Sequence, residues 1–367
     1  MVRNKIFLAA LCCFLIFTQS CIHGDLDDCP PMVNYAVAFK YTHNAWETDR
    51  VYDDVKKINL YVFDEDNLVY TTATKLSPNE THFTISLDLP MGNYHILAWG
   101  NVFEDPTISP FTISPSIFDK GITKLSDASL SLQRDANNHS HQEMEKLLFG
   151  DIDIEIPLYV SRTDTIPLVN DTKNVRVVIH WDHSGELRTT QDIIDYEEVF
   201  VHIDASNAVY NFDNLFTGIN NVVYDPFDFG YDRSYLDRVD RSLRDFEQNS
   251  YYYTYEDFDE SEVCTYDFTI LRMMTNSPVM LKVERHKTGL GADSVYVVAE
   301  IDIVQDFSKV FESRGVTLPN RQAEFDKFDN YRLDLYLTFD ELAGEYVTGG
   351  FKIEDWHVIN QPTTPKN

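Results

Sequence analysis

The chain has 367 residues, enough for more than one average domain, and its 43% hydrophobic content is enough for substantial cores. Lys and Arg total 30 against 60 Asp and Glu, a formal net charge of −30. That balance argues against nucleic-acid binding, because affinity for a phosphate backbone rests on clustered cations, and it reads as a surface that resists nonspecific association.

Arg3 and Lys5 open the chain, and residues 6–17 (IFLAALCCFLIF) are uncharged and apolar before Thr18-Gln19-Ser20. This is the three-part layout of a secretory signal. The run falls short of the roughly 20 apolar residues that a spanning helix needs, so residues 1–20 are expected to be removed. Ser20 stands immediately before Cys21, the pattern of a lipoprotein signal cut between Ser20 and Cys21, with the Cys21 thiol acylated. Thr18-Gln19 is less apolar than the usual lipoprotein box, and a plain signal with Cys21 as an ordinary thiol is the alternative. Residues 21–31 then form an acylated linker. Each buried CH₂ contributes about 0.8 kcal/mol, so several acyl chains on one cysteine anchor it stably.

Of the five cysteines, Cys12 and Cys13 leave with the signal and Cys21 carries lipid. Cys29 and Cys264 remain. In an exported protein they form either one disulfide or two unpaired thiols, and the sequence does not settle which.

Tyr35, Val37, Phe39 and Tyr41 alternate with smaller or polar residues, a period of two that predicts a half-buried strand. The pattern recurs in Ile58, Leu60 and Val62, opposed by Tyr61 and Phe63. Asp64-Glu65-Asp66-Asn67 then predicts a turn. Phe83, Ile85, Leu87 and Leu89 alternate again, and Leu89-Pro90-Met91-Gly92-Asn93-Tyr94 turns the chain toward Ala98-Trp99-Gly100, with Gly92 expected at positive φ. Residues 101–147, with prolines at 106, 110 and 115, read as connections and a mobile loop. Strands resume at residues 175–181 and repeat through 199–203, 279–283, 295–303 and 331–339. Helix signals are confined to residues 235–246 and 306–314, the latter with Asp306 as N-cap and Gly315 as stop. Residues 345–347 and 351–358 read as a closing strand pair. The whole is an all-β chain of two tandem antiparallel β-sandwiches with a few short helices: residues 32–164, residues 165–360, and a polar tail over 361–367.

Several separated stretches resemble the FimB/Mfa-type minor fimbrial subunits, lipoprotein anchors of the type V fimbriae of Bacteroides-type bacteria. They are Cys21 followed by Asp27-Asp28-Cys29-Pro30, Tyr41-Thr42-His43-Asn44, the segments 49–55 and 58–64, Leu89 to Tyr94 with Ala98-Trp99-Gly100, Leu147-Leu148-Phe149-Gly150, and residues 351–356. The resemblance implies transthyretin-like sandwiches, outer-membrane attachment through lipid on Cys21, and a place at the base of a fimbrium. It also implies a fimbrillin stalk subunit as partner, joined by strand exchange that limits fimbrial length. The first strand and the strand at 351–358 are candidates for that contact, although their alternation is what any half-buried strand shows and ordinary sheet strands are the favoured alternative. The anchor is the first reading, and a tip or accessory subunit is the alternative within the family.

No stretch carries catalytic chemistry. His139, His141, Glu143 and Glu145 form the nearest approach to a metal cluster, but a zinc site needs three or four convergent ligands. Residues 64–67 lack the glycine and distant glutamate of a calcium loop, Gly289-Leu290-Gly291 lacks the end of a phosphate loop, and no Gly-x-Ser-x-Gly occurs. Neither cofactor, metal nor small-molecule substrate is expected, and the chain reads as non-enzymatic. Asp164-Thr165-Ile166 and Asp293-Ser294-Val295 match a permissive O-glycosylation pattern. The rival reading is a glycan-binding surface lipoprotein of a polysaccharide uptake system, which needs exposed aromatic platforms; Trp46, Trp99, Trp181 and Trp356 are assigned to core packing instead.

Overall fold

The computed structural model describes residues 34–77, 82–105, 108–157, 161–182, 199–217, 220–231, 262–287, 294–340 and 345–355, and strands dominate it. The fold is all-β. In β1 (Asn34–Lys40) the expected alternation buries Tyr35, Val37 and Phe39. One helical turn, α1 (Val51–Asp54), precedes β2 (Lys57–Asp64), which forms a hairpin with β3 (Asn67–Lys75) around the expected turn, Glu65 taking φ 52°. Then come β4 (Thr84–Leu87), β5 (Gly92–Gly100), β6 (Phe111–Ser114), β7 (Ser129–Leu132), β8 (His139–Ser140), β9 (Leu148–Ile156), β10 (Ser161–Pro167) and β11 (Val169–Asn170).

Sheet order β10-β1-β4 faces sheet order β11-β9-β5-β2-β3 across a core that includes Tyr35, Val37, Leu60, Ile96 and Ile166. The five-stranded sheet is covered on its other face too. Tyr61, Phe63, Leu97, Trp99 and Phe149 point away from the first sheet into a second, larger core. For that reason β2 is buried along nearly its whole length rather than alternating. Part of the cover comes from residues 101–147, expected to be irregular but folded into β6, β7, β8 and a 3-10 turn over Leu125–Asp127.

The second half contains β12 (Thr172–Asp182), β13 (Val199–Ser206), β14 (Val209–Asn211), β15 (Asn221–Tyr224), β16 (Asp228–Tyr231), β17 (Glu262–Leu271), β18 (Val279–Lys287) and β19 (Ser294–Asp302). After these come helices α2 (Ile303–Ser313) and α3 (Arg321–Lys327), then β20 (Asn330–Asp340) and β21 (Glu345–Asp355). Two five-stranded sheets, ordered β16-β17-β12-β20-β21 and β19-β18-β13-β15-β8, enclose the larger core. Pairing is mostly antiparallel, but β1 runs parallel to β10, β12 to β20 and β15 to β8.

The halves exchange strands. β8, from the first half, adds to β15 of the second, and β14, from the second, adds to β7 of the first. The expected boundary between residues 164 and 165 falls inside β10, which pairs with β1 as far as Pro167.

Three local expectations give way. Helix α2 is capped by Asp302, whose side chain accepts from Gln305 N at 3.1 Å, while Asp306 lies in its first turn; Gly315 ends it at φ 84° as expected. The apolar pair Ile303-Val304 starts the helix one turn early by burying against the core. The expected closing strand pair is one strand, β21, in which the register slips between Tyr336 and Leu337 as Gly350 and then Thr348 are paired. The glycine pair there makes a bulge rather than a turn. Gly92 does not take positive φ; it stands under Tyr94, whose hydroxyl would lie 3.0 Å from an added Cβ and donates to Pro90 O at 3.1 Å. Residues 235–246 lie outside the described residues.

Candidate anchoring site

The end of the chain that would carry a tether enters the fold at β1. This strand is the middle of its sheet, paired in parallel with β10 from Asn34↔Ser161 to Lys40↔Pro167 and antiparallel with β4 from Tyr35↔Leu87 to Ala38↔Thr84. Tyr35 Oη donates to Asp164 Oδ2 at 2.9 Å, tying β1 to β10 by side chains as well. Beyond β1, Leu168 N donates to Lys40 O at 2.7 Å, and Tyr41 N donates to Asp49 Oδ1 at 3.1 Å.

From β10 the chain passes through β11 into β12, the central strand of a sheet in the second half. Its crossing over β9 is close. A Cβ on Gly150 would meet Pro167 O at 2.4 Å and the side chains of Ile166 and Leu168 at 2.8 and 2.9 Å. Only glycine fits under a backbone that cannot yield, which gives a physical reason for the last residue of Leu147-Leu148-Phe149-Gly150. Beside the crossing, Trp99 packs on Phe149 (ring centres 4.8 Å apart) and reaches Tyr210 and Phe212 of the second half at 6.0 and 6.4 Å.

A buried ionic cluster fills the junction. Lys146 Nζ lies 2.8 Å from both Asp54 Oδ2 and Asp329 Oδ2, Tyr41 Oη donates to Asp329 Oδ1 at 3.2 Å, and Asn170 Nδ2 donates to the same oxygen at 2.9 Å. Next to them, Lys173 Nζ donates to Asp326 O at 3.1 Å, and Arg272 grips the Asp326 carboxylate at 2.7 and 2.6 Å. Arg272 Nε also stands 3.7 Å from the buried Asp171, to which Asn214 Nδ2 donates at 3.2 Å. Tyr41, Asp54, Lys146 and Asn170 come from the first half, and the others from the second.

The charges respond to burial and to one another. Burial pushes the Asp329 carboxyl up, but Lys173 and Lys146 with the Asn170 amide outweigh it and hold it below the usual carboxylate range. Burial dominates at Asp171, which is pushed up to about 6 despite Arg272, and its Oδ2 has no hydrogen-bond partner among the described residues. Burial likewise depresses Lys173. A second buried group lies within one sheet of the second half: Arg332 holds Asp334 at 2.7 Å through two nitrogens, and His180 Nε2 is 3.0 Å from it. There burial is outweighed by His180 and Arg332, and the Asp334 carboxyl is lowered.

Of the residues singled out in the sequence, Ser20, Cys21 and Cys29 lie outside the described residues, as do Gly289 to Gly291 and Trp356. Cys264 is fully buried on β17, in register with Ile179 and Tyr231. His139 Nδ1 is 2.8 Å from Asp225 Oδ2, Glu145 pairs with Lys56, and His141 and Glu143 are exposed. Among the described residues no group of three or more His, Cys, Asp or Glu side chains converges on a metal-sized site. Trp99 and Trp181 are core residues, but Trp46 is 60% exposed, with the Arg50 guanidinium 6.0 Å from its ring centre. Thr165 is exposed on β10. Among the described residues no helix is long and apolar enough to cross a membrane. The residues that join the halves, Lys146, Lys173 and Asp329 among them, gave no sequence signal, since isolated charges far apart in the chain form no motif.

No curated protein sequence matches the chain. Solved structures do resemble it. A Bacteroides thetaiotaomicron protein described as a putative polysaccharide binding protein aligns with a TM-score of 0.65 at 21% identity, over 88% of this chain and 96% of that one. A putative adhesin from Bacteroides ovatus aligns at 0.64 and 18%, over 91% and 95%. The fimbrial anchor protein Mfa2 from Porphyromonas gingivalis aligns at 0.61 and 16%, over 89% and 98%. At these identities the likeness is one of fold. The family model of the fimbrillin-A associated anchor proteins Mfa1 and Mfa2 matches residues 26–362, and the chain belongs to that family.

Proposed function

We propose that this fimbrial protein is the non-enzymatic anchor at the fimbrium base, attached to the outer membrane by lipid on Cys21 and joined to a fimbrillin stalk through its second half. The observation that carries the reading is the position of β1. A pull on residues 22–33 acts at the start of β1, while the load leaves through the end of β10 toward β12. In a parallel pair those two points lie at opposite ends of the ladder, so the bonds of the seven-residue pairing are loaded together and the strands must slide rather than peel. The glycine-sized crossing and the ionic cluster then pass the load between the halves.

The stalk contact belongs at an edge. β1 has neighbours on both sides, whereas β21 has β20 on one side only in the described sheet, so β21 is the candidate to take a stalk strand by β-augmentation. The test of anchoring is Cys21→Ser in cells. The variant is expected to move from the membrane fraction to soluble fractions and to release long fimbriae into the medium. Unchanged partitioning with detergent would overturn the lipid anchor.

A further inference from the structure

The end of β13, the β14–β15 connection with the start of β15, and the β17–β18 connection meet at one end of the second half around an open cavity of about 600 Å³, within the roughly 300–1,000 Å³ of typical small-molecule sites. Its polar lining is Ser206, Asn220, Asn221, Asn276 and Ser277. Phe216, Leu215 and Met274 supply the apolar part. None of these residues is charged, although 60 of the 367 residues in the chain are Asp or Glu. Asn220 is only 5% exposed, and its side-chain oxygen has no hydrogen-bond partner among the described residues.

The frame around the cavity is fixed. Ser206 Oγ donates to Asn221 Oδ1 at 3.0 Å, which orients that amide, and the Arg134 guanidinium donates to the Asn221 carbonyl. The Phe216 ring packs on the buried Tyr210, ring centres 5.1 Å apart. Beneath Ser206, the buried Asn207 amide donates to Leu271 O at 3.1 Å and accepts from Tyr224 Oη at 2.7 Å, joining the neighbouring strands.

We propose that this cavity binds the terminal sugar of a neutral glycan. Amides and hydroxyls offer both donors and acceptors, which is what vicinal sugar hydroxyls require, and the aromatic and aliphatic side chains suit the C–H face of a pyranose ring. A charged ligand finds no opposite charge in the lining. The inference is independent of the lipid anchor and of the stalk contact.

The test is saturation-transfer NMR on the mature chain with glucose, galactose, mannose and N-acetylglucosamine as probes and glucuronic acid as the charged control. At least one neutral sugar is expected to bind and glucuronic acid is not. Asn276→Ala, at an exposed position outside the core, should weaken binding about tenfold, and Phe216→Leu should weaken it as well, with far-ultraviolet circular dichroism unchanged in both. No transfer to any neutral sugar, equal transfer to glucuronic acid, or full binding by Asn276→Ala would each overturn the proposal.

Discussion

β1 and β21, the first and last strands described, occupy opposite positions in their sheets. β1 is flanked on both sides, with its main-chain groups engaged by β10 and β4, while β21 pairs only with β20 in the described sheet. An edge strand presents a row of unpaired N–H and C=O groups to which another strand can add; a central strand has none to offer. Under the proposed reading, the end that would carry a tether holds and the far edge accepts, and the work of coupling them falls on the junction between the halves.

The largest expected effect is all or none and tests that contrast directly. A photo-crosslinking residue replacing Thr348, in β21, should capture the stalk subunit in assembled fimbriae, and one replacing Ala36, in β1, should not. Capture from Ala36 alone, read by mass shift on a denaturing gel, would reverse the assignment of the two strands. Next in size is the junction. Asp329→Ala leaves Lys146 with one partner and removes the charge that most favours the fully buried Lys173. Loss of one side of a buried ionic group costs about 3–5 kcal/mol, so urea unfolding should show a loss of that order. A loss below about 1 kcal/mol would mean that the aromatic contacts of Trp99 hold the halves together without the charges.

Asp171 gives a smaller effect with a defined pH signature. It faces Arg272, Asn214, Asp326 and Lys173, and its folded value of about 6 stands above the roughly 3.9 of an unfolded aspartate. A raised folded value means that its contribution to stability is fully present below about pH 3.9 and is lost as pH rises through about 6. Asp329 and Asp334, which are lowered, act in the opposite sense, their contribution being lost as pH falls. Asp171→Asn should therefore be more stable than the native chain at pH 7.5, by on the order of 3 kcal/mol, and the difference should close by pH 4. A pH-independent difference in unfolding midpoints would show that the ionised carboxylate is not the source of the strain.

The strands that bury one face were legible in the sequence because one residue in two reports the buried side: Tyr35, Val37 and Phe39 place β1 without ambiguity. β2 carried a fainter message, since apolar residues at both parities, Leu60 and Tyr61 alike, already required cover on two faces. The cover itself was not legible. β6, β7 and β8, of two to four residues each, are too short to show a period, and β14 comes from the other half of the chain. The bulge in β21 was mistaken for a turn because paired glycines permit both, and only the pairing partner decides. At the junction the limit is topological. Lys146, Lys173 and Asp329 meet because β10, β11 and β12 carry the chain across, and no local pattern records that encounter. The cavity beside Phe216 was invisible for the same reason, its residues coming from three stretches far apart in the chain.

The smallest expected effect probes the support behind the open edge. Helix α2 lies against β18, β19 and β21, and its start is fixed by the Asp302 side chain bonded to Gln305 N. Removing an aspartate N-cap costs about 1 kcal/mol. Asp302→Ala should lower stability by that amount, whereas Asp306→Ala, which loses the pairing with the exposed Lys309, should change it by no more than about 0.5 kcal/mol. The informative measurement is amide hydrogen exchange. If α2 braces only the accepting side, Asp302→Ala accelerates exchange at the start of α2 and in β21 and leaves β1 protected. Equal acceleration in β1 would instead mean that both ends of the chain open as one cooperative unit, and the division into a holding strand and an accepting edge would be static only.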